Sequence, residues 1–333
     1  MKFINVWIFA LCFLSGACKP SKPSLWIYTS LYKEVIAAVQ PPLQALLPDV
    51  EIKFFQGGSE NIAAKLNMEL LANRPQANLV LTSDPFWYEE LKRLGKLEAY
   101  RSPVAGYVPT AFTDPDSFYS TVRVSSIVMA YHQNVLSEKE LPHSWKDLTD
   151  DRWKGRLTMG SPLESGSAFT TVAMLFHHEG WDYFTRLRSL DLLSSGGNST
   201  VLNRIETKER QIGLLLLENV LKAMKKGSPI RPIYPKEGVI PVPGLIAILK
   251  GTKNISAAQR VYDWFFSLEA QRAMVAAGMH SFYPQAPAPQ GWLPLSEILA
   301  HTPEGMFWGN EVLQALYPRR DEIKRGFSDR VLR

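Results

Sequence analysis

Residues 24–95 carry the feature that most limits the fold: three apolar runs, each ending in small polar residues and each followed by a helical pattern. Residues 24–30 (SLWIYTS) read as a strand ending at Thr29 and Ser30, and 33–47 as an amphipathic helix interrupted at Pro41 and Pro42. Residues 50–55 (VEIKFF) alternate as a strand does, 57–59 (GGS) turn, and the next helical run sets Ile62, Ala63, Leu66 and Leu70 on one face. Residues 78–81 (NLVL) form a short buried strand stopping at Thr82, Ser83 and Asp84, and 86–94 form a helix closed by Gly95. Three strand–helix units in succession predict a parallel sheet with helices on its faces. Ligands of open α/β sheets bind beyond the carboxyl ends of the strands, which is where Ser30, Ser59, Ser83 and Asp84 would stand.

The middle of the chain repeats this theme. Residues 123–133 (RVSSIVMAYHQ) read as a strand crossing into a second lobe. After a short β-type run at 156–158, Ser165, Gly166 and Ser167 stand directly before an apolar helical run that opens with Ala168. A second polar loop, 193–200 (LSSGGNST), precedes a helix from Val201. Residues 179–192 and 219–226 read as helices, 211–217 as a buried strand, 230–234 and 239–242 as extended segments. Helices at 256–267 and 269–277, a proline-rich stretch at 284–294 and a helix at 310–316 complete the chain. Serine at an N-cap satisfies the first orphan N–H groups of a helix. The remaining N–H groups point outward with the positive end of the helix dipole behind them, so 165–168 (SGSA) is a candidate anion site that needs no lysine.

Composition removes several classes. The formal net charge is +5, but the basic residues are scattered, with no basic stripe interleaved with aromatics, so nucleic acid is not an expected partner. The mild positive balance suits an anionic ligand. Cys12 and Cys18 both lie in the first eighteen residues, which leaves no disulfide framework for the folded body. His177 and His178 lack the H-E-x-x-H spacing of a zinc site, and the nucleophile elbow, the Walker loop and the Rossmann glycine pattern are all missing. No enzyme activity, cofactor or resident metal is therefore expected. Lys2, an apolar run over 3–14 broken by Asn5, and small residues before Cys18 make a secretory signal, too short to span a membrane.

The sequence LSGAC at 14–18 resembles the bacterial lipobox, in which the cysteine is lipid-modified and becomes the first mature residue. On that resemblance 1–17 is a signal peptide, Cys18 an acyl anchor to a membrane, and 18–24 a polar tether. The three strand–helix units, W-K-D-L at 145–148, W-K-G-R at 153–156, the serine loop before a helix and Y-P-x-E-G-x-x-x-x-P at 234–243 follow in one order. That order resembles the periplasmic substrate-binding proteins of ABC importers, in the branch that binds ferric iron, sugar phosphates, phosphoglycerate and phosphonates. The resemblance implies an α/β, two-lobed periplasmic binding protein type II fold, each lobe a mostly parallel sheet flanked by helices, joined by hinge strands. Lobe one would take 25–118 and 239–285, lobe two 119–238, and 286–333 would be a C-terminal helical segment packing across the lobes. It also implies a periplasmic location, capture of a small ligand by hinge closure, and a membrane permease and ATPase as partners.

The resemblance also bears on the ligand. Ferric-binding members carry two adjacent tyrosines at a position that here falls on Leu217 and Glu218. Tyr32 matches a histidine of their first loop, and Ser83–Asp84 matches an acidic ligand, so few of the oxygen donors that hard ferric iron prefers are retained. The anion half of the family site, 165–168 with Asn198, is retained. The expected ligand is thus a small phosphorylated organic anion, with ferric iron, or a sensor lipoprotein with a degenerate cleft, as alternatives. Its phosphoryl oxygens would meet the N–H groups of Ser165, Gly166, Ser167 and Ala168 and the hydroxyls of Ser165, Ser167 and Ser199. Ser30, Ser59, Ser83 and Arg123 are further polar contacts; Glu218, Asn219, Asp84 and Glu60 are acceptors for sugar hydroxyls, and Tyr32 or Trp87 would pack on a sugar face.

Overall fold

A computed structural model describes residues 22–300 and 309–332. The signal segment and Cys18 lie outside these residues, as does 301–308 of the C-terminal segment. Along the chain come β1 (Ser24–Thr29), α1 (Lys33–Leu46), β2 (Glu51–Gln56), α2 (Ser59–Leu71), β3 (Leu79–Thr82), α3 (Pro85–Arg93) and β4 (Leu97–Glu98). Next are β5 (Ser120–His132), β6 (Leu157–Met159), α4 (Gly166–Ser189), β7 (Leu193–Ser194), α5 (Asn198–Glu206), β8 (Ile212–Leu216), α6 (Leu217–Lys225) and β9 (Ile230–Ile233). The chain returns through β10 (Ile240–Leu249), α7 (Ile255–Phe265) and α8 (Leu268–Ala276), and closes with α9 (Leu295–Ala300), α10 (Asn310–Leu316) and α11 (Arg320–Phe327).

The strand order is β2-β1-β3-β10-β5-β8-β6-β7. β1 is parallel to β2 and β3, and β6 is parallel to β7 and β8. Between these two parallel groups run β5 and β10, antiparallel to each other and to their outer neighbours. Both are buried along their whole length; β10 is almost wholly apolar, whereas β5 carries Arg123, Ser125 and Ser126 among its buried residues. Alternation assigns the two faces of the sheet. Leu25 and Ile27 of β1 enter one core with Val35, Val39 and Phe265; Tyr28 enters the other with Phe86, Trp87, Phe169 and Phe184.

Three elements differ from the sequence expectation. α1 runs unbroken through Pro41 and Pro42. The carbonyls left without helix donors belong to Ala37 and Ala38, both exposed residues, while Val35, Ile36, Val39 and Leu43 hold the buried face. α4 joins two expected segments, with non-helical dihedrals at Gly180 (φ 73°, ψ −171°) marking the kink between them. α5 starts at Asn198 rather than Val201, which puts Asn198 and Ser199 in its first turn.

The C-terminal helices touch both parallel groups. Phe327 is fully buried, its ring 5.3 Å from that of Phe184 on α4. Lys324 pairs with Glu60 of α2 and Arg320 with Glu90 of α3, each at 2.8 Å.

Candidate ligand-binding site

Five helices begin at one cleft of about 280 Å³ between the two parallel groups. Their N-cap residues, Tyr32 of α1, Gly58 of α2, Ser165 of α4, Gly197 of α5 and Leu216 of α6, all line it. Only at α4 does the N-cap side chain accept a helix N–H, Ser165 Oγ from Ala168 at 3.4 Å. Each uncapped start presents donor N–H groups and roughly half a positive charge. The approach is close: a Cβ on Gly166 would stand 2.9 Å from the Ser83 carbonyl oxygen and 3.0 Å from Ser59 Cβ. Only glycine lets the start of α4 meet the loops after β2 and β3.

Beneath these helix starts lies a buried polar chain. The Arg123 guanidinium donates from Nη1 to Ser125 Oγ at 2.6 Å and from Nη2 to Ser83 Oγ at 3.0 Å. Ser125 in turn donates to Glu218 Oε1 at 2.8 Å. Arg123 is 3% exposed and Glu218 2%, yet Arg123 Nε and Glu218 Oε2 have no hydrogen-bond partner. A buried ionisable group so left is costly; both atoms are closed to solvent, and Arg123 Nε faces Gly244 of β10. Burial pushes the Glu218 carboxyl pKa up, with Arg123 and Ser125 opposing. Burial likewise lowers that of Arg123, with Glu218 opposing. Opposite, Asn198 Nδ2 donates to Ser167 Oγ at 2.9 Å and Ser165 Oγ lies 3.0 Å from Ser167 Oγ, while Asn198 Oδ1 accepts from the Leu216 N–H. Desolvation and the nearby Glu218 charge raise the Tyr32 phenol pKa, so its hydroxyl stays protonated and donates to Asn219 Oδ1 at 2.7 Å.

Residues 74–293 match the family model described as bacterial extracellular solute-binding protein. The chain belongs to this family. A protein of Sinorhizobium fredii named as an ABC transporter periplasmic-binding protein is 26% identical over 243 residues, 70% of this chain and 67% of the relative. A Salmonella typhimurium protein named for 2-aminoethylphosphonate binding is 20% identical over 67% of this chain and 66% of its own length. Among solved structures, AfuA of Actinobacillus pleuropneumoniae with fructose 6-phosphate bound superposes with a TM-score of 0.80, at 24% identity over 94% of this chain and 99% of its own. Iron-bound HitA of Pseudomonas aeruginosa does so with a TM-score of 0.78, at 22% identity over 92% and 99%. The fold is therefore that of the type II periplasmic binding proteins, and the chain is a solute-binding protein of the ABC-importer kind, whose partners are a permease and an ATPase. Among the described residues no helix is long and apolar enough to cross a membrane.

Of the residues nominated from sequence, Ser30, Tyr32, Ser59, Ser83, Arg123, Ser165, Ser167, Asn198, Ser199 and Glu218 line the cleft of this solute-binding protein. Gly166 and Ala168 stand in the first turn of α4 without lining it. Asp84 is turned away: its Oδ1 caps α3, accepting from the Phe86 and Trp87 N–H groups. Glu60 is engaged by Lys324. Trp87 is fully buried, bonded through Nε1 to Asn67 and out of reach of a cleft ligand. Sequence reasoning passed over Gln56, Glu164, Thr200 and the N-cap positions Gly58, Gly197 and Leu216 as lining residues. Their signal was positional, since each N-cap is the last residue before a helix that follows a strand. Ser125 was also missed; it never reaches the cleft surface but links Arg123 to Glu218.

Proposed function

We infer that this solute-binding protein captures a small phosphorylated organic anion, a sugar phosphate, phosphoglycerate or phosphonate. The convergence of five helix N-termini on one cleft carries this reading, because a dianionic phosphoryl group is the ligand such a donor array stabilises most. The phosphoryl oxygens take the Ser167 N–H at the start of α4, where Ser165 Oγ already holds the Ala168 N–H, and the hydroxyls of Ser165, Ser167 and Ser199. Asn198 donates to Ser167 Oγ, which leaves the Ser167 hydroxyl proton to be shared between Ser165 Oγ and the ligand. The carbon skeleton then faces Arg123 and Glu218, which line the cleft. Ferric iron is disfavoured by the donor set: Leu217 and Glu218 stand where the adjacent phenolates would be.

In this reading 25–118 with 239–285, and 119–238, are lobes that close around the ligand on β5 and β10, with α10 and α11 of the C-terminal segment packed across them. Cys18 would tether the body to a membrane.

The test is thermal unfolding with glycerol 3-phosphate, hexose 6-phosphates, 3-phosphoglycerate, 2-aminoethylphosphonate, inorganic phosphate and ferric iron. A true ligand at one hundred times its Kd stabilises by about 2.7 kcal/mol. Ser167→Asp sets a second anion on the same dipole and should abolish that gain. Stabilisation by ferric iron alone, or an unchanged response in Ser167→Asp, would refute the assignment.

A further inference from the structure

The cleft ends at a wall. Tyr32 lines it, and the Tyr32 hydroxyl is committed to Asn219 of α6 at 2.7 Å. Behind the ring, the Lys222 ammonium lies 5.4 Å from the ring centroid and pairs with Glu34 of α1. Beyond stands a second cavity of about 1020 Å³, whose lining includes Glu34, Lys222, Lys225, Arg272 and Gly278. Gly278 completes the partition, since a Cβ built on it would sit 3.1 Å from Glu218 Cβ. Glu218 and Tyr32 face the cleft while Gly278 and Lys222 face the cavity, so one layer of side chains separates the two.

We propose that Tyr32, braced by Asn219 and Lys222, is the residue that sets ligand length. This rests on the phosphoryl reading: with one end of the ligand anchored at α4, the other must stop at the Tyr32 ring. With its hydroxyl taken by Asn219, the ring meets the ligand as a surface. Lys222 behind it is neutralised by Glu34, so the wall attracts no charge. A ligand one sugar longer must displace the ring and break both cross-cleft contacts. If the wall is removed, the space behind it is already open, and Lys225 and Arg272 make it hospitable to polar, anionic extensions.

Calorimetric titration of the wild type, Tyr32→Ala, Tyr32→Phe and Asn219→Ala with glycerol 3-phosphate, glucose 6-phosphate and trehalose 6-phosphate tests this. The wild type and Tyr32→Phe should favour the monosaccharide ester over trehalose 6-phosphate by about one hundredfold or more, and Tyr32→Ala by less than about tenfold. Asn219→Ala, which frees the ring, should fall between them and keeps the test valid if Tyr32→Ala unfolds. Equal binding of short and long esters by the wild type, or undiminished exclusion in both Tyr32→Ala and Asn219→Ala, overturns the wall while the short esters still report the phosphoryl site. Failure of every ester to bind any of the four proteins overturns the phosphoryl reading, and the wall with it.

Discussion

Gly244 lies opposite Arg123 in the pairing of β10 with β5, just before the register of that ladder shifts. A Cβ there would stand 2.6 Å from Arg123 Cγ, 2.8 Å from Nε and 3.0 Å from Cζ, far inside the 3.5–4.0 Å at which carbon atoms attract. The guanidinium cannot swing aside freely, because Ser125 and Ser83 hold its two terminal nitrogens. Gly244→Ala therefore brings an overpacking cost of about 1–3 kcal/mol. Loss of either bond from the charged guanidinium adds about 1.5–3 kcal/mol. We expect a total near 3 kcal/mol, read as a lowered urea midpoint at unchanged slope. In an Arg123→Ala background the clashing atoms are gone, and the same substitution should cost less than about 1 kcal/mol, a coupling of about 2 kcal/mol. An unchanged midpoint in Gly244→Ala, or an equal cost in both backgrounds, would refute the reasoning.

Two further outcomes are expected. Glu218 has a raised pKa in the folded chain, so its contribution to stability is full below the ordinary carboxylate range and is lost as pH rises through the folded value. Glu218→Gln should remove that part of the decline as pH rises above the ordinary carboxylate range, measured by urea unfolding, and an identical slope in the variant rejects it. Cys18→Ser should abolish metabolic acyl labelling and release the protein from the membrane fraction; retained label would show that Cys18 is not the anchor.

Much of the cleft could be read along the chain because its residues belong to strand ends and helix starts. Ser30, Ser59, Ser83, Ser165 and Asn198 each sit where an apolar run gives way to a helical one, and the structure brings these points together. The same local reasoning failed for Asp84 and Glu60. As a short acceptor just before Pro85, Asp84 is as well suited to cap its own helix as to meet a ligand, and the backbone claims it. Glu60 was claimed by Lys324, 264 residues away, a pairing that depends on where the C-terminal helix docks. Pro41 and Pro42 misled for a related reason. Local rules charge a proline for a broken hydrogen bond, but the cost falls where burial denies water, and here the freed carbonyls belong to exposed residues.

By itself the sequence determined the strand–helix rhythm, the apolar faces of the elements and the serine-rich helix starts, since these depend on neighbours within one or two turns of chain. The tertiary structure alone decided that five helix starts share one cleft, that Arg123 reaches Glu218 through Ser125, and that Tyr32 closes the cleft against Asn219. Each of those contacts joins residues far apart in sequence. Its geometry follows from sheet order and from the pairing of β5 with β10, which no local pattern encodes.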